Sequence, residues 1–344
     1  MSDASRGQTM TVCPQCGTQV ASALLACPSC ERLVHADELK RLAAEAEHAG
    51  HAGDASAALG AWRQALDLLP RDSTQHQAVA ARIVALSRAV ENQPAAEKPS
   101  RWGKGAAGLG ALGALLAKFK FAIVFLLTKA KLLLFGLTKA GTLFSMLLSA
   151  GVYWTLWGWK FAIGIVLSIY VHEMGHVQAL QRYGIKATAP MFIPGLGAVI
   201  RLKQYPATPR EDARVGLAGP LWGLGAAAAA YGVYFATRIG VWGAIGHFGA
   251  WVNLFNLLPV WQLDGGRGFR ALTRVHRWLA AAVAASIYLM THEGLLLLIA
   301  LAAAASAGFS TAPDEADQPA LLEYLSLVVV LAALSRIADP GAIQ

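Results

Sequence analysis

The chain is poor in charge and in cysteine. Only 15% of its 344 residues are charged, against about a quarter in an ordinary globular domain. With 56% hydrophobic residues, this composition argues against an ordinary soluble enzyme and favours a membrane protein. The four cysteines all lie within the first thirty residues, and reduced pairs of this kind are typical of the cytosol.

A secretory leader and a dense basic tract are also missing. The first thirty residues are polar and have no apolar stretch of the kind a signal peptide needs. We therefore expect no cleavable leader and a cytoplasmic N-terminus. The net charge of +8 comes from Lys and Arg that flank apolar runs. This distribution disfavours nucleic-acid binding and favours contact with the anionic cytoplasmic face of a lipid bilayer.

The cysteines form two C-x-x-C pairs, Cys13 with Cys16 and Cys27 with Cys30, ten residues apart. Four thiolates at this spacing suit a tetrahedral structural zinc site. The gap is shorter than in most zinc ribbons, but the segment resembles the small ribbons found at bacterial N-termini. A redox dithiol is the alternative. We predict a zinc ribbon over residues 1–34.

Residues 35–92 are polar, rich in alanine and helical in period, which predicts a helical hairpin. Gly53-Asp54, Trp62 and Pro70 fall where a tetratricopeptide repeat places its turn, aromatic residue and proline. Only one repeat is apparent, so a plain spacer is the alternative. Either form would offer a surface to a cytosolic partner.

Two further segments separate this hairpin from the rest of the chain. Residues 93–105 contain Pro94 and Pro99 and predict a linker. Residues 106–150 are apolar but carry lysines every ten or eleven positions. We expect an interfacial helix with snorkelling lysines, and a membrane span near 132–150.

An apolar run from Phe161 leads into the motif His172-Glu173-x-x-His176. Residues four apart share one helix face, so both imidazoles can bind one metal ion with Glu173 beside them. The helix, expected to continue towards Arg182, has the apolar character of a membrane span. An ionisable cluster in such a helix is a functional hypothesis by default.

A hydrolytic zinc ion usually has a third protein ligand. Asp264 is the strongest candidate, because it follows an apolar helix and Pro259, and Gly265 and Gly266 allow a tight turn that aims it inward. A water-facing aspartate at a helix end is the alternative reading. The weaker candidates are His247, His276, His292 and Glu293.

Basic residues follow both the histidine helix and Asp264, whereas the turn near Arg238 has one positive charge. The positive-inside rule then places both basic segments in the cytoplasm. Further spans are expected at about 215–236 and 242–258, which completes a core over residues 151–278. Residues 279–344 predict two or three additional membrane helices. The expected fold is mainly α: a polytopic membrane helix bundle with a small N-terminal zinc ribbon and helical hairpin.

The segment 189–200 is apolar and broken by prolines and glycines, unlike a helix. We predict a membrane-dipping loop whose edge strand pairs with an extended substrate; a plain connecting loop is the alternative. The predicted substrate-binding residues are Phe192, Ile193, Pro194, Gly195, Leu196 and Gly197. Glycines at 216, 219, 223 and 225 predict close helix packing.

Three motifs in order give the chain a family resemblance over residues 155–275: His172-Glu-x-x-His176, Ala218-Gly-Pro220 and Asn256-x-x-Pro259-x-x-x-Leu263-Asp264-Gly265. With them it resembles the site-2 protease family of intramembrane zinc metallopeptidases. The resemblance implies a three-helix core in a multi-pass protein of the cell membrane. It also implies that His172, His176 and Asp264 bind catalytic zinc.

The same resemblance implies the chemistry and the substrates. Glu173 would be the catalytic acid and base, and Asn256 would position substrate or stabilise an oxyanion. The substrates would be single-span membrane proteins, cut by metal-activated water in regulated intramembrane proteolysis. Two other functions stay open at this point: an inactive membrane adaptor that recruits cytosolic partners, and a metal transporter. Glu173 argues against the adaptor, and the lack of paired repeats argues against the transporter.

Overall fold

The computed structural model describes residues 10–92, 140–195, 197–200, 202 and 204–337. The predicted linker at 93–105, residues 106–139 of the lysine-studded segment, and Leu196 lie outside this described part. The chain divides into two compact units, the first comprising residues 1–97 with 181–186 and the second 98–180 with 187–344.

The first unit begins with a short antiparallel hairpin and continues with helices. Its elements are β1 (Met10–Val12), β2 (Gln19–Ala21), α1 (Ala36–His51), α2 (Ala55–Asp67) and α3 (Thr74–Asn92). Leu42, Leu59 and Ile83, one from each helix, are fully buried and form the small core. Residues 35–92 thus form three helices, one more than the predicted hairpin. The reason lies at the turn near Pro70, where the Ser73 hydroxyl accepts a hydrogen bond from the backbone N–H of His76 at 3.1 Å and starts α3.

Residues 181–186 belong to this first unit through contacts with α2. The Ser56 hydroxyl donates to the Gln181 carbonyl at 2.6 Å, and Arg63 Nε donates to the Tyr183 carbonyl at 3.1 Å. Gly184 has a φ of +65°, and a Cβ there would lie 2.6 Å from the Ser56 carbonyl oxygen. Both the backbone angle and the close approach therefore require glycine.

The second unit contains the remaining elements. They are α4 (Ala140–Trp157), α5 (Trp159–Arg182), β3 (Met191–Ile193), β4 (Gly197–Val199), α6 (Pro209–Thr237), α7 (Gly240–Asn256), α8 (Asp264–Phe269), α9 (Arg274–Thr291), α10 (Gly294–Phe309) and α11 (Gln318–Leu334). Helix α5 belongs to this unit up to Leu180, and its last two residues belong to the first unit. Three described helices follow residue 270, where two or three additional membrane helices were expected, and their place in a membrane stays a prediction.

Local sequence explains where the central helices begin and end. The Thr208 hydroxyl caps α6 by accepting from the Glu211 N–H at 3.1 Å, and Pro209 occupies the first turn. The helix ends where Arg238 adopts a left-handed conformation. It therefore begins six residues before the predicted start at 215, because the prediction took the first apolar residue for the helix start and overlooked the polar cap.

Two large apolar clusters, together with a small one of Ile165, Ala230 and Ile245, form the core in the described part of this unit. The larger joins α6, α7 and α9–α11, with Leu254, Leu296 and Leu331 fully buried. The smaller joins α4, α5 and β3 around Met174 and Phe192. Among the described helices, none combines the length and apolarity needed to cross a membrane.

Candidate metal centre and active site

Three predicted ligands converge in the second unit. His172 and His176 lie one turn apart on α5, and Asp264 is the first residue of α8. The Nε2 atoms of the two imidazoles are 3.2 Å apart. The Asp264 carboxylate lies 3.1 Å from Nε2 of His172 and 3.2 Å from Nε2 of His176. All three side chains are buried.

These separations match the donor set of a zinc ion. Zinc bonds to nitrogen and oxygen are about 2.0–2.2 Å long, so neighbouring ligands of a tetrahedral ion lie about 3.3 Å apart. The three measured separations are close to that value. The two imidazoles and the carboxylate could therefore hold zinc with room for a fourth ligand, as in hydrolytic zinc sites.

The far side of each imidazole is held by an oxygen acceptor. His172 Nδ1 lies 2.7 Å from Asn253 Oδ1, and His176 Nδ1 lies 2.7 Å from the Val215 carbonyl oxygen. A carbonyl oxygen can only accept, so each Nδ1 carries the proton and donates it. Each Nε2 then presents a lone pair to the metal position, which is the arrangement expected of zinc-binding histidines.

Neither of these two supporting residues, Asn253 and Val215, was predicted from the sequence. Asn253 is 3% exposed, and its Nδ2 donates to the Gly249 carbonyl at 2.7 Å, which fixes the amide. Val215 acts through its backbone, which no sequence pattern marks. The one available indication for Asn253 was its polar side chain in the largely apolar helix α7.

The helix glycines were predicted to allow close packing, and Gly219 does so at the metal position. A Cβ at Gly219 would lie 2.7 Å from His172 Nε2 and would also overlap the His176 ring. At Gly223 a Cβ would overlap the Asn253 side chain. Gly219 therefore leaves space for the two imidazoles, and Gly223 leaves space for the Asn253 amide that orients His172.

Glu173 lies beside the ligands, buried, in the wall of a cavity of about 1150 Å³. Asn256, the last residue of α7, lines the same cavity. The structure thus brings both predicted catalytic residues to the chamber that contains the metal position. The role of Asn256 remains a prediction.

The segment 189–200 contains a β-hairpin, in which Phe192 of β3 faces Ala198 of β4. On its β3 side, the hairpin is attached to α4 by a hydrogen bond from the Phe192 N–H to the Ser145 hydroxyl at 3.0 Å. On its β4 side, the residues from Gly197 to Ile200 line the cavity.

Of the six predicted substrate residues, Leu196 lies outside the described part of the chain, and the other five have different places in this hairpin. Gly195 and Gly197 line the cavity. Phe192 is 4% exposed and stacks on Tyr170 in the smaller core, so its side chain supports the hairpin and does not line the cavity. Ile193 precedes the turn, which begins at Pro194, and is partly exposed. Side chains alternate between the two faces of a strand, which the prediction from composition did not take into account.

The four cysteines of the first unit also converge. The Sγ atoms of Cys13 and Cys30 are 3.7 Å apart, as are those of Cys16 and Cys27. A tetrahedral zinc ion with bonds of about 2.3 Å to sulfur places its ligands about 3.75 Å apart. The cluster therefore fits the predicted structural zinc.

Local hydrogen bonds shape both cysteine loops. In each loop the residue after the second cysteine is left-handed: Gly17 with a φ of +73° and Glu31 with a φ of +59°. Hydrogen bonds from the side chain and backbone of Thr18 lower the pKa of the Cys16 thiol to about 6. A thiolate is the form that binds zinc.

Comparison with known proteins adds to this geometry. Residues 160–239 match the family model described as peptidase family M50. Over these residues the chain is similar to peptidases of family M50. The match includes His172, Glu173, His176 and Gly219 and ends before Asp264. The resemblance to site-2 proteases is thereby confirmed.

Two curated relatives of the chain carry related names. A zinc metalloprotease of Methanocaldococcus jannaschii is 29% identical over 114 residues, which cover 31% of this chain and 32% of the relative. A Mycobacterium tuberculosis protein named "Putative zinc metalloprotease Rip3" is 34% identical over 138 residues, which cover 38% of this chain and 33% of the relative. The chain thus spans about a third of the length of each relative. No solved structure matches the chain.

Proposed function

We propose that this chain is a zinc-dependent endopeptidase that hydrolyses peptide bonds of membrane-spanning proteins. The observation that carries the proposal is the convergence of His172, His176 and Asp264, with Glu173 beside them in one cavity. The similarity to peptidases of family M50 supports the same class of reaction.

The reaction follows from the groups in the cavity. Zinc bound by the three ligands would lower the pKa of a coordinated water to about 7 and polarise the scissile carbonyl. The Glu173 carboxylate accepts a proton from the attacking water and donates it to the departing amine nitrogen as the C–N bond breaks. The Asn256 amide lies in the same wall and would donate to the oxygen that becomes negatively charged.

Substrate presentation is assigned to β4. The strand has β3 on one side and borders the cavity on the other. An extended peptide can pair with the backbone of such an edge, which exposes its amides for attack. Gly195 and Gly197 would allow the close approach of a second backbone. A helical substrate must therefore unwind before cleavage.

The membrane setting is proposed from apolar surface. Large apolar side chains are exposed on several helices, among them Phe144 (70%) and Leu147 (64%) on α4 and Leu301 (59%) on α10. Extended apolar surface marks contact with lipid or with another protein. We propose the lipid bilayer and single-span membrane proteins as the partners, a cytoplasmic N-terminus in a multi-pass arrangement, and a cytosolic partner for the N-terminal unit.

The test compares wild type with Glu173→Gln in membranes. The variant should keep its zinc and lose cleavage, so a single-span protein should accumulate in its membrane proteome and disappear when wild type is restored. The matched control is Glu323→Gln, at a partly buried glutamate on α11, which should behave as wild type. Cleavage by Glu173→Gln would refute the assigned role. Zinc transport without proteolysis by wild type would refute the proposed function.

A further inference from the structure

The ligand Asp264 stands on an element with little stability of its own. Helix α8 has six residues, and three of them are glycines. Short helices are marginal in isolation, and glycine is the poorest helix former after proline. The position of Asp264 is therefore set by what holds α8 in place.

One buried carboxylate on α6 binds two arginines of this region. Nε and Nη2 of Arg267 each lie 2.9 Å from Asp212 Oδ1, and Nη1 of Arg270 lies 2.5 Å from Asp212 Oδ2. Asp212 is 6% exposed. Arg267 follows Asp264 by three positions on α8, and Arg270 is the residue at which that helix ends. The two oxygens of Asp212 thus hold α8 at its middle and at its C-terminus.

The backbones of α6 and α8 fit closely beside this contact. A Cβ at Gly216 on α6 would lie 2.6 Å from Arg267 Cβ and 3.0 Å from the Asp264 carbonyl oxygen. A Cβ at Gly268 on α8 would lie 2.9 Å from Leu217 Cδ2. The same stretch of α6 provides the Val215 carbonyl that orients His176. One helix therefore sets the positions of two of the three ligands.

We infer that Asp212 is a positioning residue of the metal centre: through Arg267 and Arg270 it fixes α8 on α6 and so holds the Asp264 carboxylate against the two imidazoles. The inference rests on the proposed zinc site and adds a residue that lies outside the three motifs of the family resemblance. Asp212 does not bind the metal itself. Its charge is needed because it meets two guanidinium groups, which a neutral amide would bind less strongly.

The test measures zinc affinity by chelator competition in the purified full-length protein. Asp212→Asn should bind zinc about 10- to 100-fold more weakly than wild type, the range seen when partners of metal ligands are removed. A second readout needs no metal. In the metal-free protein, the backbone amides of residues 264–270 should exchange with solvent faster in Asp212→Asn than in wild type.

Helix α6 offers a matched control in a second ion pair. Arg214 Nη2 lies 2.8 Å from Oδ1 of Asp317, which is 4% exposed and caps α11. Asp317→Asn removes a comparable charge that pairs with Arg214 and not with Arg267 or Arg270, so it should lower the thermal stability and leave zinc affinity unchanged. If Asp212→Asn folds poorly, Arg270→Ala removes one of the two contacts at a half-exposed side chain and should weaken zinc binding by a smaller factor.

The possible outcomes separate this inference from the proposed function. A wild-type protein that binds no zinc at His172, His176 and Asp264 would overturn the proposed function. Wild-type zinc affinity in both Asp212→Asn and Arg270→Ala would overturn only the positioning role. An equal loss of zinc affinity in Asp317→Asn would also overturn it, because the effect would then reflect general stability.

Discussion

Replacing Asn253 by alanine tests how the metal centre is oriented. Asn253 Oδ1 accepts from His172 Nδ1 at 2.7 Å, and the residue is 3% exposed. The substitution leaves a buried N–H without its acceptor, which costs about 1–3 kcal/mol. The imidazole can relieve this cost by rotating or by moving the proton to Nε2, and both responses misdirect or occupy the lone pair that binds the metal.

The expected result is a zinc dissociation constant about 10- to 100-fold higher than that of wild type, which corresponds to about 1.4–2.7 kcal/mol. Asn253→Asp keeps an acceptor at the same place and should retain zinc binding. Thr142→Ala is the control for a lost buried hydrogen bond, because the Thr142 hydroxyl donates to the Pro190 carbonyl at 2.8 Å and contacts no ligand. The reasoning fails if Asn253→Ala binds zinc as tightly as Thr142→Ala does.

Three further outcomes follow from the geometry. Gly219→Ala should abolish zinc binding at the histidines because its Cβ overlaps both rings, whereas Gly308→Ala, with open space around it, should leave the zinc content measured by mass spectrometry unchanged. Cys27→Ala should lower the zinc content from two ions per chain to one and destabilise the N-terminal unit, and a content of two would contradict the cysteine site. Gly17→Ala should cost about 1–2 kcal/mol of stability in chemical denaturation, because alanine is strained at a φ of +73°, and an unchanged midpoint would contradict that reading.

The sequence was most informative where chemistry and periodicity coincide. The spacing of His172 and His176 predicted a shared helix face, and the position of Asp264 after an apolar helix predicted the third ligand; the structure brings all three together. The predicted helix near 242–258 corresponds to α7 within two residues, because long apolar segments leave little ambiguity about helix existence.

Tertiary contacts were harder to predict. No local pattern shows that Val215 contributes a carbonyl or that Asn253 reaches His172 from another helix. Phe192 was expected at the substrate, yet strand alternation turns it into the core. A side chain's direction in a short strand depends on register, which composition does not encode. The number of helices in residues 35–92 was also underestimated. The hydrogen bond from the His76 N–H to the Ser73 hydroxyl begins a third helix, α3, and the helical periodicity of the segment does not show this boundary.

The two imidazole supports differ in kind, one being an amide side chain and the other a peptide carbonyl. A single amino-acid substitution at position 253 changes the acceptor that His172 Nδ1 meets. Such a substitution, in evolution or in the laboratory, can therefore change the electron density on the His172 ring. The acceptor at residue 215 persists whatever amino acid stands there, and the proton location on the His176 ring is insulated from substitution at that site. Attempts to retune metal preference should therefore start from position 253.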